Sequence, residues 1–149
     1  NIRQVFNSIA GVGGQLFGND LTFAVTQSWK KFNAYESAPR TKGLTVNQDG
    51  EFIVGTGADG FYMVRGVVYL SFPASGTIDL ALTLNNNVTE YQILDVPMVA
   101  NTYRQIILPG SGDLSENDKF CLAIKGSGSA TATIKLASFE TERLIGVIE

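Results

Sequence analysis

The chain has 149 residues, of which 44% are hydrophobic and 17% charged, with a formal net charge of −3. That length suits one domain with its own core, and the interspersed acids and bases argue against electrostatic capture of nucleic acid. The lack of any histidine removes the commonest general base and transition-metal ligand, and the single cysteine excludes an internal disulfide or a cysteine metal cage.

Residues 1–20 stand apart from the rest. Ile2, Val5, Phe6 and Ile9 follow helical spacing for about two turns before Gly11, Gly13 and Gly14 interrupt it. So short a helix needs a surface to lie on. The segment is therefore either a terminal stretch or first strand, or a short N-terminal arm that docks on a neighbour. The expected division is an arm over 1–20 and one domain over 21–149. The first residues lack the basic-then-apolar pattern of a signal peptide, and no run of about 18 apolar residues predicts a membrane span.

From Leu21 the pattern is β throughout. Leu21–Trp29 alternates, and a polar connection containing Pro39 follows from Asn33 to Lys42. Gly43–Val46 and Gly50–Val54 read as short strands around the turn Asn47-Gln48-Asp49-Gly50. Gly60–Phe72 is the most informative stretch. One face carries Tyr62, Val64, Val68, Leu70 and Phe72; the other carries Phe61, Met63, Val67 and Tyr69, interrupted only by Arg65. A sandwich core covers one such face, so the second predicts burial against another subunit.

Thr77–Leu84 alternates between Ile78, Leu80, Leu82 and Leu84 on one side and Thr77, Asp79, Ala81 and Thr83 on the other, which predicts one wet face. Asp79 and Glu51, lone charges among apolar neighbours, read as solvated positions. Asn85-Asn86-Asn87 turns the chain. Strands are then expected at Tyr91–Val96, Tyr103–Leu108, Lys119–Lys125 and Thr131–Phe139. A strand about every ten residues predicts an all-β, two-sheet antiparallel sandwich or jelly roll.

Motifs that carry chemistry are scarce. Gly55-Thr56-Gly57-Ala58-Asp59-Gly60 spells G-x-G-x-x-G, but a strand follows where a dinucleotide site needs a helix, so a hairpin loop is expected. Asp113, Glu116 and Asp118 share one loop without a calcium-loop signature and read as a solvated turn. Lys30 and Lys31 beside Trp29 would suit a carbohydrate or phosphate, or simply surface. Cys121, inside Phe120-Cys121-Leu122-Ala123-Ile124, reads as a buried inert thiol. Ser28 and Ser115 have no base, and Asp79 and Asp95 lie in no acid–base motif. No catalytic, cofactor or metal constellation is read, and an enzyme is not expected. Arg65 is the charge out of place: either a polar lock paired with an acid from a neighbouring subunit, or a side chain that reaches solvent.

Two segments resemble the C1q/TNF-like jelly-roll superfamily, including versions in bacteriophage virion proteins. Gly50-Glu51-Phe52-Ile53-Val54 followed by Gly60-Phe61-Tyr62-Met63-Val64 is similar to the family's F-x-V … G-x-Y-x-V pairing. Leu114-Ser115-Glu116-Asn117-Asp118-Lys119-Phe120-Cys121-Leu122-Ala123-Ile124 is similar to its L-x-x-G-D-x-L-x-L-x-I hairpin, with Asn117 in place of glycine, a residue that tolerates a left-handed turn. A third segment, Phe139 to Ile145, lacks the central glycine of the family's closing F-x-G-x-L. The resemblance covers roughly Leu21 to Ile145.

It implies a ten-stranded jelly roll assembled as a homotrimer about a three-fold axis. Tyr62 would then belong to the core, and Phe61, Met63, Arg65 and Tyr69 to the trimer interface. It further implies a virion protein, made in the host cytoplasm and placed on the capsid surface. Such a protein would be a decoration (cement) protein bound to the major capsid protein or another virion protein through Ile2, Val5, Phe6 and Ile9. The alternative is a receptor- or glycan-binding head of a fibre or surface filament, with ligand contacts on Asn85–Thr89 or Pro109–Asn117. Neither nucleic acid nor membrane is an expected partner.

Overall fold

The computed structural model describes residues 11–144, and over that span no helix occurs. Eleven strands form: β1 (Gly13–Val25), β2 (Lys30–Lys31), β3 (Ser37–Lys42), β4 (Leu44–Val46), β5 (Phe52–Val54), β6 (Gly60–Ser71), β7 (Gly76–Leu84), β8 (Asn87–Met98), β9 (Arg104–Leu114), β10 (Lys119–Gly126) and β11 (Ala130–Leu144). They make two antiparallel sheets packed face to face. One has the order β3-β1-β11-β6-β9; the other runs β4-β5-β10-β7-β8, with β2 joined to β10 beside β5. The expected ten-stranded, two-sheet jelly roll is what the chain adopts, with the two-residue β2 added.

Alternation builds the core as the sequence predicts. On β6, Tyr62, Val68 and Leu70 are fully buried, and Tyr62 donates its hydroxyl to the Ala58 carbonyl. The opposing sheet contributes Phe52, Leu80, Phe120, Leu122 and Ile124. Phe52 stacks on Phe139 at 5.7 Å between ring centroids, and Phe120 lies 6.2 Å from Tyr62, so an aromatic cluster joins the sheets at their centre.

The expected boundary at residue 20 does not hold as a structural division. Gly13–Asp20 belongs to β1, and Gly13 already pairs with Glu142 of β11. Gly11, Gly13 and Gly14 resemble helix breakers, but Gly14 is placed by packing: a Cβ there would meet Phe52 Cε1 at 2.6 Å. The arm residues Ile2, Val5, Phe6 and Ile9 lie outside the described residues.

The connection expected over Asn33–Lys42 also contains a strand, β3, exposed at all six positions. It is an edge strand, which is where a residue such as Pro39, lacking a backbone N–H, is accepted. Similarly β9 runs on through Pro109 to Leu114, so the turn is confined to the residues around Asn117. That residue takes φ of 70°, the left-handed position its glycine-like slot predicts.

The outer side of β7 is less wet than its alternation predicts. Ala81 and Thr83 are buried there, beside Cys121 and Ala123 of β10, and Thr83 Oγ1 lies 3.1 Å from Cys121 Sγ. Burial pushes the Cys121 thiol up to about 12, with the Thr83 contact opposing the rise.

Two outcomes follow. Gly14→Val forces a side chain into Phe52 and should destabilise the fold by about 1–3 kcal/mol, read as a lowered urea midpoint. Cys121 should resist a thiol reagent at pH 8 in the folded protein and react fully in denaturant. Because its folded-state value is raised, this thiol's share of stability is intact below about pH 9 and is lost as pH climbs toward 12, where only the unfolded chain ionises.

Candidate functional site

β6 lies between β11 and the edge strand β9, so its outward residues stand one strand in from that edge of the five-stranded sheet's open face. Register sets the neighbours. Met63 lies beside Glu142 and Ser111, Arg65 beside Glu140 and Pro109, Val67 beside Ser138 and Ile107, and Tyr69 beside Leu136 and Gln105. Met63 is 45% exposed, Ile107 47%, Leu144 46% and Phe61 38%. Tyr103, just before β9, packs against Tyr69 with ring centroids 5.2 Å apart and planes tilted by 37°, and Lys135 Nζ sits 5.3 Å from the Tyr103 ring. Of the seven large hydrophobics exposed among the described residues, Phe61, Met63, Tyr103, Ile107 and Leu144 belong to this face; Leu94 and Val99 are elsewhere.

Phe61, Met63, Arg65 and Tyr69 thus share one surface, Tyr69 half-buried and the other three exposed. Ile107, Tyr103 and Leu144 join them although sequence reasoning singled out none of the three. The signal for Ile107 was its alternation with Ile106 and Leu108, both buried, but only the β6–β9 register assigns it to Val67's side.

Arg65 reaches solvent, one of its two expected readings, and is paired at the same time. Its acid partner is on its own chain: Arg65 Nη2 lies 2.5 Å from Glu140 Oε1 on the neighbouring strand β11. Both side chains are substantially exposed, so the pair contributes little to stability. It borders a shallow hollow of about 420 Å³ shared by Arg40, Met63, Pro109 and Glu142, a mixed-charge rim beside the apolar patch.

The other candidate motifs are occupied by their own chain. In the Gly55–Gly60 loop, Arg143 Nη1 donates to the Gly57 and Asp59 carbonyls, and Glu116 accepts from Thr56 Oγ1 at 2.6 Å. β6 begins at Gly60, so the residues after the glycines are strand. Asp118 accepts from the Ser115 backbone and from Asn85 Nδ2, which makes it part of a turn, and Asp113 lies at the end of β9. Among the described residues no three acidic or sulfur side chains converge as a metal site.

The basic cluster near Trp29 is likewise engaged: Lys30 donates to the Ala24 carbonyl, Lys31 reaches Glu51, and Lys125 packs over the Trp29 ring. Neither lone carboxylate is solvated as expected. Asp79 pairs with Lys125 at 3.8 Å and accepts the Asp95 backbone N–H, while Glu51 is 1% exposed.

No protein-family profile matches the chain, and no curated protein matches it in sequence. Among solved structures the chain is similar to the Eiger TNF of S. frugiperda, with a TM-score of 0.64 and 15% identity over 93% of this chain and 95% of that one. At that identity the likeness is one of fold. Over the described residues the chain is all-β, with the TNF-like jelly-roll architecture.

Proposed function

We propose that the chain works as a homotrimer whose subunits meet on the open face of the five-stranded sheet. We assign it a structural role in a bacteriophage virion, as a capsid decoration protein. The observation that carries the self-association is the gathering of Phe61, Met63, Tyr103, Ile107 and Leu144 on one sheet face, with Val67 among them. An apolar patch rimmed by charged residues is the usual appearance of a protein contact surface, with Met, aromatic residues and Arg enriched in it. Three copies around an axis would cover that face on every subunit, as the motif resemblance to C1q/TNF-like proteins implies.

The virion assignment rests on that same resemblance. Residues 1–10, with Ile2, Val5, Phe6 and Ile9, would supply the attachment to the capsid. Gly13 onward is paired in β1, so a truncation that spares that strand is confined to residues 1–10.

Sedimentation velocity at micromolar concentration should find a trimer, and Ile107→Glu should convert it to a folded monomer, because it places three like charges in an apolar contact. A well-folded monomer of the unmodified chain would refute the assembly. Removal of residues 1–10 should leave the trimer intact and abolish co-sedimentation with heads of the phage that encodes the chain. Binding to host cells in place of heads would make the protein a receptor-binding fibre head.

A further inference from the structure

Outside the open sheet face, the described residues hold a buried carboxylate whose charged partner reaches the surface: Lys31 is 30% exposed, lies 3.9 Å from the exposed Asp49 as well, and meets the exposed Asn86. Glu51, immediately before β5, is 1% exposed among apolar strands. Its Oε1 accepts from Lys31 Nζ at 3.2 Å and from Asn47 Nδ2 at 3.0 Å, while its Oε2 is buried with no partner. A carboxylate oxygen left bare in the interior is costly, so its retention calls for an explanation.

The Lys31 amine bridges Glu51 to a third side chain: its Nζ is also 2.5 Å from Asn86 Oδ1. Lys31 is held there by β2, which pairs with Ala123 of β10, and Asn86 is held by the β7–β8 turn, where its φ is 70°. An amine, a carboxamide and a buried acid thus meet from three separate parts of the chain. The amine is already in contact with the carboxamide group it would attack.

We propose that Lys31 and Asn86 join in an intramolecular isopeptide bond, with Glu51 carrying the protons. The Lys31 ammonium passes a proton to Glu51, which frees the lone pair on Nζ. That pair adds to Cγ of Asn86 as Glu51 delivers the proton to Oδ1. A second Nζ proton then moves through Glu51 to Nδ2. The Cγ–Nδ2 bond breaks with its electron pair on nitrogen, and the carbonyl re-forms by giving up the Oδ1 proton. The products are a secondary amide and one ammonium ion; nothing is oxidised or reduced, and Glu51 ends as it began. Oε1, which faces the Lys31 amine and is held in place by Asn47, is the oxygen that would receive and return those protons.

The bond would tie β2 to the β7–β8 turn across a separation of 55 residues, restricting the unfolded chain as a disulfide does. This inference is independent of the trimer.

The test is the intact mass of the unmodified full chain. It should fall below the sequence mass by one ammonia, and tryptic digestion should yield a branched peptide joining Lys31 to Asn86 with no cleavage after Lys31. Glu51→Gln and Lys31→Arg should each restore the full sequence mass. A full sequence mass for the unmodified chain overturns the proposal. So does an ammonia loss confined to a linear peptide around Asn86, which would be a succinimide. Cross-linking that persists in Glu51→Gln overturns the role given to Glu51.

Discussion

The constraint on which the structure turns is the pleat of β6. Its side chains alternate strictly, both sets are largely apolar, and the six-stranded sheet can lie against only one of them. Tyr62, Val68 and Leu70 take that side and share one core with Phe120 and Leu122. The remaining set is left on the open face, where β9 and β11 extend it in register with Ile107 and Leu144. Everything unusual about that surface descends from this surplus of apolar side chains, which no rearrangement within one sandwich would bury.

Charge does little to offset it. The Arg65–Glu140 pair spans β6 and β11 of the same chain, so the arginine on this face already has its counter-charge. An arginine paired in advance can enter a contact with less desolvation cost than a bare one. The Tyr69–Tyr103 pair under Lys135 is comparable: a cation lies over the faces of two tilted rings.

Much of the fold was legible in the sequence because it depends on local alternation. The buried set of β6, the strand at Thr77–Leu84 and the left-handed turn at Asn117 all follow from period and turn chemistry. Features decided at a distance were not legible. Gly14 looks like a breaker until Phe52 of the opposite sheet is seen to need its space. Arg65 calls for an acid, but only the β6–β11 register identifies Glu140.

Glu51 is the sharpest case. Period two places it beside a solvated turn, and nothing local reveals that β2 and β5 lie end to end along β10. That alignment brings Lys31 within 3.2 Å of it, so the residue the alternation leaves to water is among the most deeply enclosed of the chain. Of the open face, the sequence showed the β6 contribution and missed the share from β9, because strand pairing is a long-range property.

The pairing of β1 with β11 has a mechanical meaning. Gly13 lies opposite Glu142, so the chain enters and leaves the sandwich side by side, on adjacent antiparallel strands. Pulling those two points apart would load the ladder at one end, opening its hydrogen bonds one pair after another like a zip. A tether attached at both points would therefore peel the domain at low force, whereas one anchored at a single point would leave that seam unloaded.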